Sequence, residues 1–217
     1  MAKRIKSYSE VELIDMFGLT RLSGNDVFPL LSVWINNASS NLDDNEMKFF
    51  EYIYQKGKEN IVGWQEEDLK MLFISPILFL SKLTSADKYF GFFERTIEDT
   101  VDGYFLKTKT DFMLAAGSIG IFKKPFFHFQ EYKPFKNPTG DSMGQLLEAS
   151  LIAQKRNNNG KPMYGCEVMG SAWRFVVLKE KTYCVSDPFE ATNREDLLQI
   201  VAILRKFKDI LETELLD

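Results

Sequence analysis

Apolar residues recur along this chain with two periods: helical spacing through the first 83 residues, and alternation from Lys88 onward. Ser9-Glu10-Val11-Glu12 puts serine at a cap and glutamate three residues later, a pairing that satisfies amides left open at a helix start. Leu13, Ile14 and Phe17 follow at helical spacing, and Gly18 ends the segment. Asp26–Asn37 reads as a second helix with Pro29 in its first turn. Asp43–Lys56 reads as a third, striped by Met47, Phe50, Ile53 and Tyr54 and closed by Gly57. Gln65–Leu83 is the longest candidate, and Pro76 should kink or split it. Its first turn holds Glu66, Glu67 and Asp68, which suit the helix dipole. Glu66 and Glu67 also offer a further acidic ligand to a nearby site.

Beyond Lys88 the pattern predicts strands. KYFGFFERTIED is aromatic and partly β-branched, Asp102-Gly103 is a turn, and GYFLKTKTDFMLA alternates. Phe105, Lys107, Lys109 and Asp111 share one face of that strand; Leu106, Thr108, Thr110 and Phe112 share the other. Gly117-Ser118-Ile119-Gly120 joins it to KPFFHFQEYKP; it lacks the Lys-Ser/Thr ending and following helix of a phosphate loop. Asn137 to Asp141 is turn-like, Ser142–Arg156 a helix, and Met163–Gly170, Ala172–Leu178 and Thr182–Val185 are strands. A capping box from Thr192 opens a last helix striped by Leu197, Ile200, Val201, Leu204, Phe207 and Ile210. Helices, strands, helix, strands and helix in that order predict an α/β (α+β) sandwich with one mixed sheet.

The chain has 217 residues, enough for one sizeable core or a domain with an extension. Nineteen phenylalanines make that core aromatic. A formal net charge of −4 excludes a protein that coats nucleic acid by bulk charge, though not one with a basic face. The most apolar run, Met71–Leu80, is too short to span a bilayer and is interrupted by Pro76. No leader is evident, because basic Met1–Lys6 runs into a mixed segment, and a cytoplasmic protein is expected. Cys166 and Cys184 read as reduced core thiols, with a disulfide between neighbouring strands left open.

One histidine, His128, rules out zinc sites built on two or three histidines, and two cysteines cannot complete a four-cysteine site. It lies between two phenylalanines on the strand face opposite Glu131, which suits a structural role better than a catalytic one. Candidate chemistry gathers instead in Thr110–Lys133. Glu131 and Lys133 point the same way, and if the two strands pair, Asp111 approaches Glu131. Two carboxylates beside a lysine suit a divalent metal and an activated water. A plain cross-strand ion pair is the competing reading.

An acidic residue on one strand, Glu-x-Lys on the next and a glutamine-bearing helix after them together resemble the PD-(D/E)XK nuclease superfamily. EYKPFKNPTGDSMGQLLEASLIAQ, with the later hairpin, resembles uncharacterised bacterial members. The resemblance implies a restriction-endonuclease-like core: a helix, three antiparallel strands, a helix and a further strand. That core would occupy residues 64–217, with 1–63 an N-terminal helical extension packed on it. Asp111 and Glu131 would hold Mg²⁺ or Mn²⁺ with the backbone carbonyl of Tyr132. Lys133 would orient the water or stabilise charge on phosphorus, and Gln145 would assist by hydrogen bonding. Thr110 stands where many members carry proline. The expected activity is phosphodiester hydrolysis in DNA; the alternative is a non-catalytic binding or regulatory protein that keeps the fold. Lys107, Lys109, Lys123, Lys124 and Lys136 are candidate phosphate contacts, or lysines guarding strand edges. The N-terminal helices are left free for a second copy or a protein partner.

Overall fold

A computed structural model of the chain describes residues 8–83, 85–86, 88–118, 120–135 and 139–216, with 85 and 86 as backbone only. Ile119, Lys136, Asn137, Pro138 and the basic stretch Met1–Lys6 lie outside the described residues.

Helix α1 (Glu10–Phe17) carries the expected capping box, Ser9 with Glu12, and ends at Gly18 in the left-handed conformation. Strand β1 (Thr20–Ser23) follows, unsignalled by the sequence pattern. Helix α2 (Pro29–Asn36) starts at its proline, where a missing N–H costs nothing. Helix α3 (Asp44–Asn60) is capped by Asp43 and runs on past Gly57. Gly57 therefore does not close the helix. It is a close approach: a Cβ there would stand 2.3 Å from the Phe73 ring.

The long helix predicted over Gln65–Leu83 is split into α4 (Glu66–Leu69), a π-helical turn at Lys70–Ile74, and α5 (Ser75–Leu80). Pro76 offers no amide and its ring crowds the carbonyl one turn back, so the turn before it widens. The Ser75 amide donates to the Lys70 carbonyl, five residues back.

After the short β2 (Ser85–Ala86), strands β3 (Tyr89–Val101), β4 (Tyr104–Ser118) and β5 (Ile121–Lys133) form an antiparallel meander. Helix α6 (Ser142–Asn157) carries the chain back to β6 (Met163–Met169), which lies parallel to β5. Strands β7 (Ala172–Lys179) and β8 (Thr182–Val185) continue antiparallel, β1 closes the far side parallel to β8, and β9 (Phe189–Glu190) pairs with β7. Among the described residues the result is one mixed sheet in the order β1-β8-β7-β6-β5-β4-β3-β2. Helix α7 (Arg194–Ile210) is capped by Asn193 rather than Thr192, because the Asn193 side chain reaches the amides of Glu195 and Asp196.

Helices flank both faces. Residues of α2, α3, α5 and α7 meet Leu114, Tyr132, Cys166, Trp173 and Phe175 in one core. Helices α1 and α6 meet Met113, Phe129, Val176 and Tyr183 in the other. Residues 8–63 thus supply a strand to the sheet as well as helices to both cores.

Eleven residues of α6, from Ser142 to Ala153, are buried, so the helix is covered nearly all round. The sheet covers one side and the far end of the β3–β4 hairpin folds over another. Glu148 accepts the Lys107 amide at 3.0 Å, and Arg156 meets Asp99 at 3.5 Å. To do this the hairpin must turn over. Phe92 and Met113 face the α6 core, yet so do Ile97, Val101 and Leu106, which have the opposite parity in their strands. The inversion falls at Glu94, which has φ +55°, opposite Asp111.

Candidate functional site

Asp111 sits where β4 leaves β5. The ladder pairs Phe112 with Gln130 and then stops, so the next pair would set Asp111 against Glu131. Instead of backbone accepting from backbone, the Asp111 carboxylate takes over: its Oδ2 accepts the Tyr132 amide at 2.8 Å. The expected meeting of Asp111 with the Glu-x-Lys strand is therefore real. Asp111, Glu131 and Lys133 are 8%, 1% and 7% exposed.

Glu131 is the anomaly of the group. Its Oε1 is buried and has no hydrogen-bond partner. Burial first, then the negative charge of Asp111, pushes its carboxyl well above the ordinary value, with Lys133 pulling the other way. Lys133 makes no ion pair within 4.0 Å among the described residues. The row continues across the sheet, since β6 sets Glu167 beside Glu131 and β7 sets Arg174 beside Glu167. Glu167 accepts from Ser142 Oγ at 2.5 Å and from Arg174 Nη1 at 3.1 Å.

The residue that sequence reasoning missed is Lys70. From the widened turn after α4 its ammonium, 6% exposed, reaches Asp111 Oδ1 at 2.8 Å, Glu94 Oε1 at 2.7 Å and Glu66 Oε1 at 2.8 Å. These carboxylates push its pKa further up, against the effect of burial. Glu66, read as a possible extra acidic ligand, instead holds Lys70, and Glu67 stands 3.8 Å away. Spacing of four residues between Glu66 and Lys70 was a readable signal for that pair. Nothing local marks Glu94, which joins only because the hairpin turns over there.

Other expected members do not converge. The Gln145 side chain, near the start of α6, makes no hydrogen bond to Asp111, Glu131 or Lys133 among the described residues. Lys107 and Lys109 make no ion pair with Asp111 among the described residues, and Lys109 joins the locus through Glu94, whose other oxygen holds Lys70. They are held across the hairpin, Lys107 by Glu98 at 2.5 Å and Lys109 by Glu94. Lys123 and Lys124 sit at the start of β5, the opposite end from Glu131.

On the other face of β5, His128, Gln130 and Tyr132 form a buried ladder. Tyr132 donates its hydroxyl to Gln130 Oε1, and the Gln130 amide nitrogen lies 2.9 Å from His128 Nε2. Burial holds His128 neutral, with its pKa lowered to about 3, against Trp34 and Phe207. That chemistry is structural, as its strand face suggests. Cys166 and Cys184 are free and buried.

A metal fits the site only in part. Asp111 and Glu131 are hard oxygen donors, and the Glu131 Oε1 atom lacks a hydrogen-bond partner. One Asp111 oxygen is already held by Lys70, the other by the Tyr132 amide. Among the described residues no three His, Cys, Asp or Glu side chains are grouped so as to hold a metal ion. Asp111 and Glu131 would have to be completed by backbone, water or substrate oxygens. The chain matches no protein-family model and has no significant match among curated proteins. No helix among the described residues is long and apolar enough to cross a membrane.

Proposed function

We propose that the protein is a Mg²⁺- or Mn²⁺-dependent phosphodiesterase acting on nucleic acid, DNA foremost, through Asp111, Glu131 and Lys133. The observation that carries this reading is the unpartnered, buried Glu131 oxygen beside Asp111. Burying a carboxyl oxygen without a hydrogen-bond partner is costly, and such costs concentrate at functional sites. The order of elements supports it too: helices α4–α5, the meander β3–β4–β5, then α6 and β6 follow the order of a restriction-endonuclease-like core.

In this reading Asp111 and Glu131 would hold the metal, together with the Tyr132 carbonyl that the resemblance implies. The bound ion would polarise the phosphoryl group and lower the pKa of its water. The chain's own residues prepare for it. The Tyr132 amide fixes the Asp111 carboxylate in orientation. Lys133, on the same strand face as Glu131, supplies positive charge for a phosphoryl oxygen. Plasmid DNA incubated with Mg²⁺ or Mn²⁺ should be nicked, and Glu131→Ala and Lys133→Ala should each lower the rate at least a hundredfold. Cleavage that survives both substitutions, or none with either metal, contradicts the assignment.

One observation favours a second reading, a binding or regulatory protein that keeps the fold without catalysis. Lys70 already neutralises Asp111, so the acidic locus is stable without a metal. Met71, Leu72 and Phe79, all exposed on the same helical segment, would then face a protein partner or a second copy. Cleavage lost on Glu131→Ala excludes this reading.

A further inference from the structure

At the other end of β5 lies a cleft of about 620 Å³ lined by Asp99, Phe122, Lys123, Lys124, Phe126 and Arg156. Lys123 and Lys124 are consecutive, and in a regular strand their side chains would diverge. Here the ladder pairs Ala116 with Lys123 and then Ala115 with Phe126, so Lys124 and Pro125 are looped out as an irregularity. Bulges re-aim side chains, and this one brings both lysines to the same cleft.

The floor is anchored. Asn157, at the end of α6, accepts the Phe126 amide at 2.8 Å and donates to the Phe126 carbonyl at 2.7 Å. The Arg156 guanidinium lies over the Phe126 ring, 5.6 Å from its centre. Phe122, half-buried, leans on Phe92 and Phe126. Asp99 is the one acid of the lining, and it meets Arg156 at 3.5 Å. Lys123 and Lys124 make no ion pair among the described residues. Three cations against one carboxylate leave the cleft positive on a chain whose net charge is −4.

We propose that this cleft binds a small phosphorylated aromatic ligand, a nucleoside phosphate by chemistry. Its phosphates would lie between Lys123, Lys124 and Arg156, and its ring against Phe122. Clefts of roughly 300–1,000 Å³ suit ligands of that size. Lysine supplies point charges for phosphate, and an aromatic face beside them accepts a planar ring without reading its edge. Lys123 lies eight residues before Glu131 on the strand, roughly 25 Å away. The cleft is therefore separate from the carboxylate site, and its occupancy does not depend on what that site does.

The test uses the full chain and ATP bearing a fluorescent methylanthraniloyl group on its ribose, followed by anisotropy without added metal. The labelled nucleotide should bind with micromolar to submillimolar affinity, and Lys123→Glu with Lys124→Glu should weaken it at least tenfold. Unlabelled ATP should displace it several-fold better than inorganic tripolyphosphate, and Phe122→Leu should erase that preference. Both lysines are exposed, so their variant keeps the fold, and its unfolding temperature verifies this. Undiminished binding in the lysine variant overturns the proposal. So does tripolyphosphate competing as well as ATP, since no ring is then recognised. An oligothymidylate binding far more tightly than ATP also overturns it, pointing to a strand in place of a small ligand.

Discussion

At the scale of single residues, the site is a contest between burial and charge. Lys70 is the buried cation that pairs with buried Asp111 and with the half-exposed Glu94. Removing one partner of a buried pair leaves an uncompensated charge, at about 3–5 kcal/mol. Lys70→Met should accordingly destabilise the chain by about 3 kcal/mol in urea unfolding, and Asp111→Asn on top should recover part of that loss. A loss under about 1 kcal/mol would mean that water, not Lys70, compensates the acids. Glu131 gives a second residue-scale expectation. Its raised pKa means the folded state keeps a proton that the unfolded chain has released. Stability from this group is whole below the ordinary value of 4.5 and falls as pH rises through the folded value. Glu131→Gln should thus gain stability over the wild type with rising pH above about 4.5, measured by denaturation across the range. Parallel profiles for the two proteins would contradict it.

At the scale of elements, local signals were legible where local chemistry decides the outcome. Ser9 with Glu12, Pro29, Asp102-Gly103 and Pro76 act within a turn, and each marks a boundary or a break. Strand β1 was not legible because Thr20–Ser23 is short, largely exposed and paired in the sheet with the distant β8. Gly57 was misread for a related reason: its role is set by Phe73, sixteen residues away, not by its neighbours. The same fact predicts a sign. Glycine to alanine inside an exposed helix stabilises by about 1 kcal/mol. At Gly57 the new methyl meets the Phe73 ring, and overpacking costs about 1–3 kcal/mol. Gly57→Ala should therefore lower the unfolding temperature, and a rise would show that Phe73 can give way.

At the scale of the whole molecule, strand alternation was enough to bring Asp111, Glu131 and Lys133 to one locus. It was not enough to find what else arrives there. Lys70 comes from a helix broken by Pro76, and Glu94 from a hairpin that turns over to cover α6. Both depend on tertiary folding that no local period records. Lys107 is held by Glu98 and Lys109 reaches the locus only through Glu94, while the length of β5 separates Lys123 and Lys124 from Glu131. Two cationic groups thus surround the sheet for different reasons, one neutralising buried acids and one left unpaired at the surface. Beside the first, Asp111 and Glu131 would hold a divalent metal. Calorimetric titration of Mn²⁺ into the wild type and into Asp111→Asn and Glu131→Gln addresses it without any assumption about substrate. One wild-type site is expected, with an affinity that drops at least tenfold in each variant. Equal binding in all three proteins, or no binding in the wild type, would contradict it.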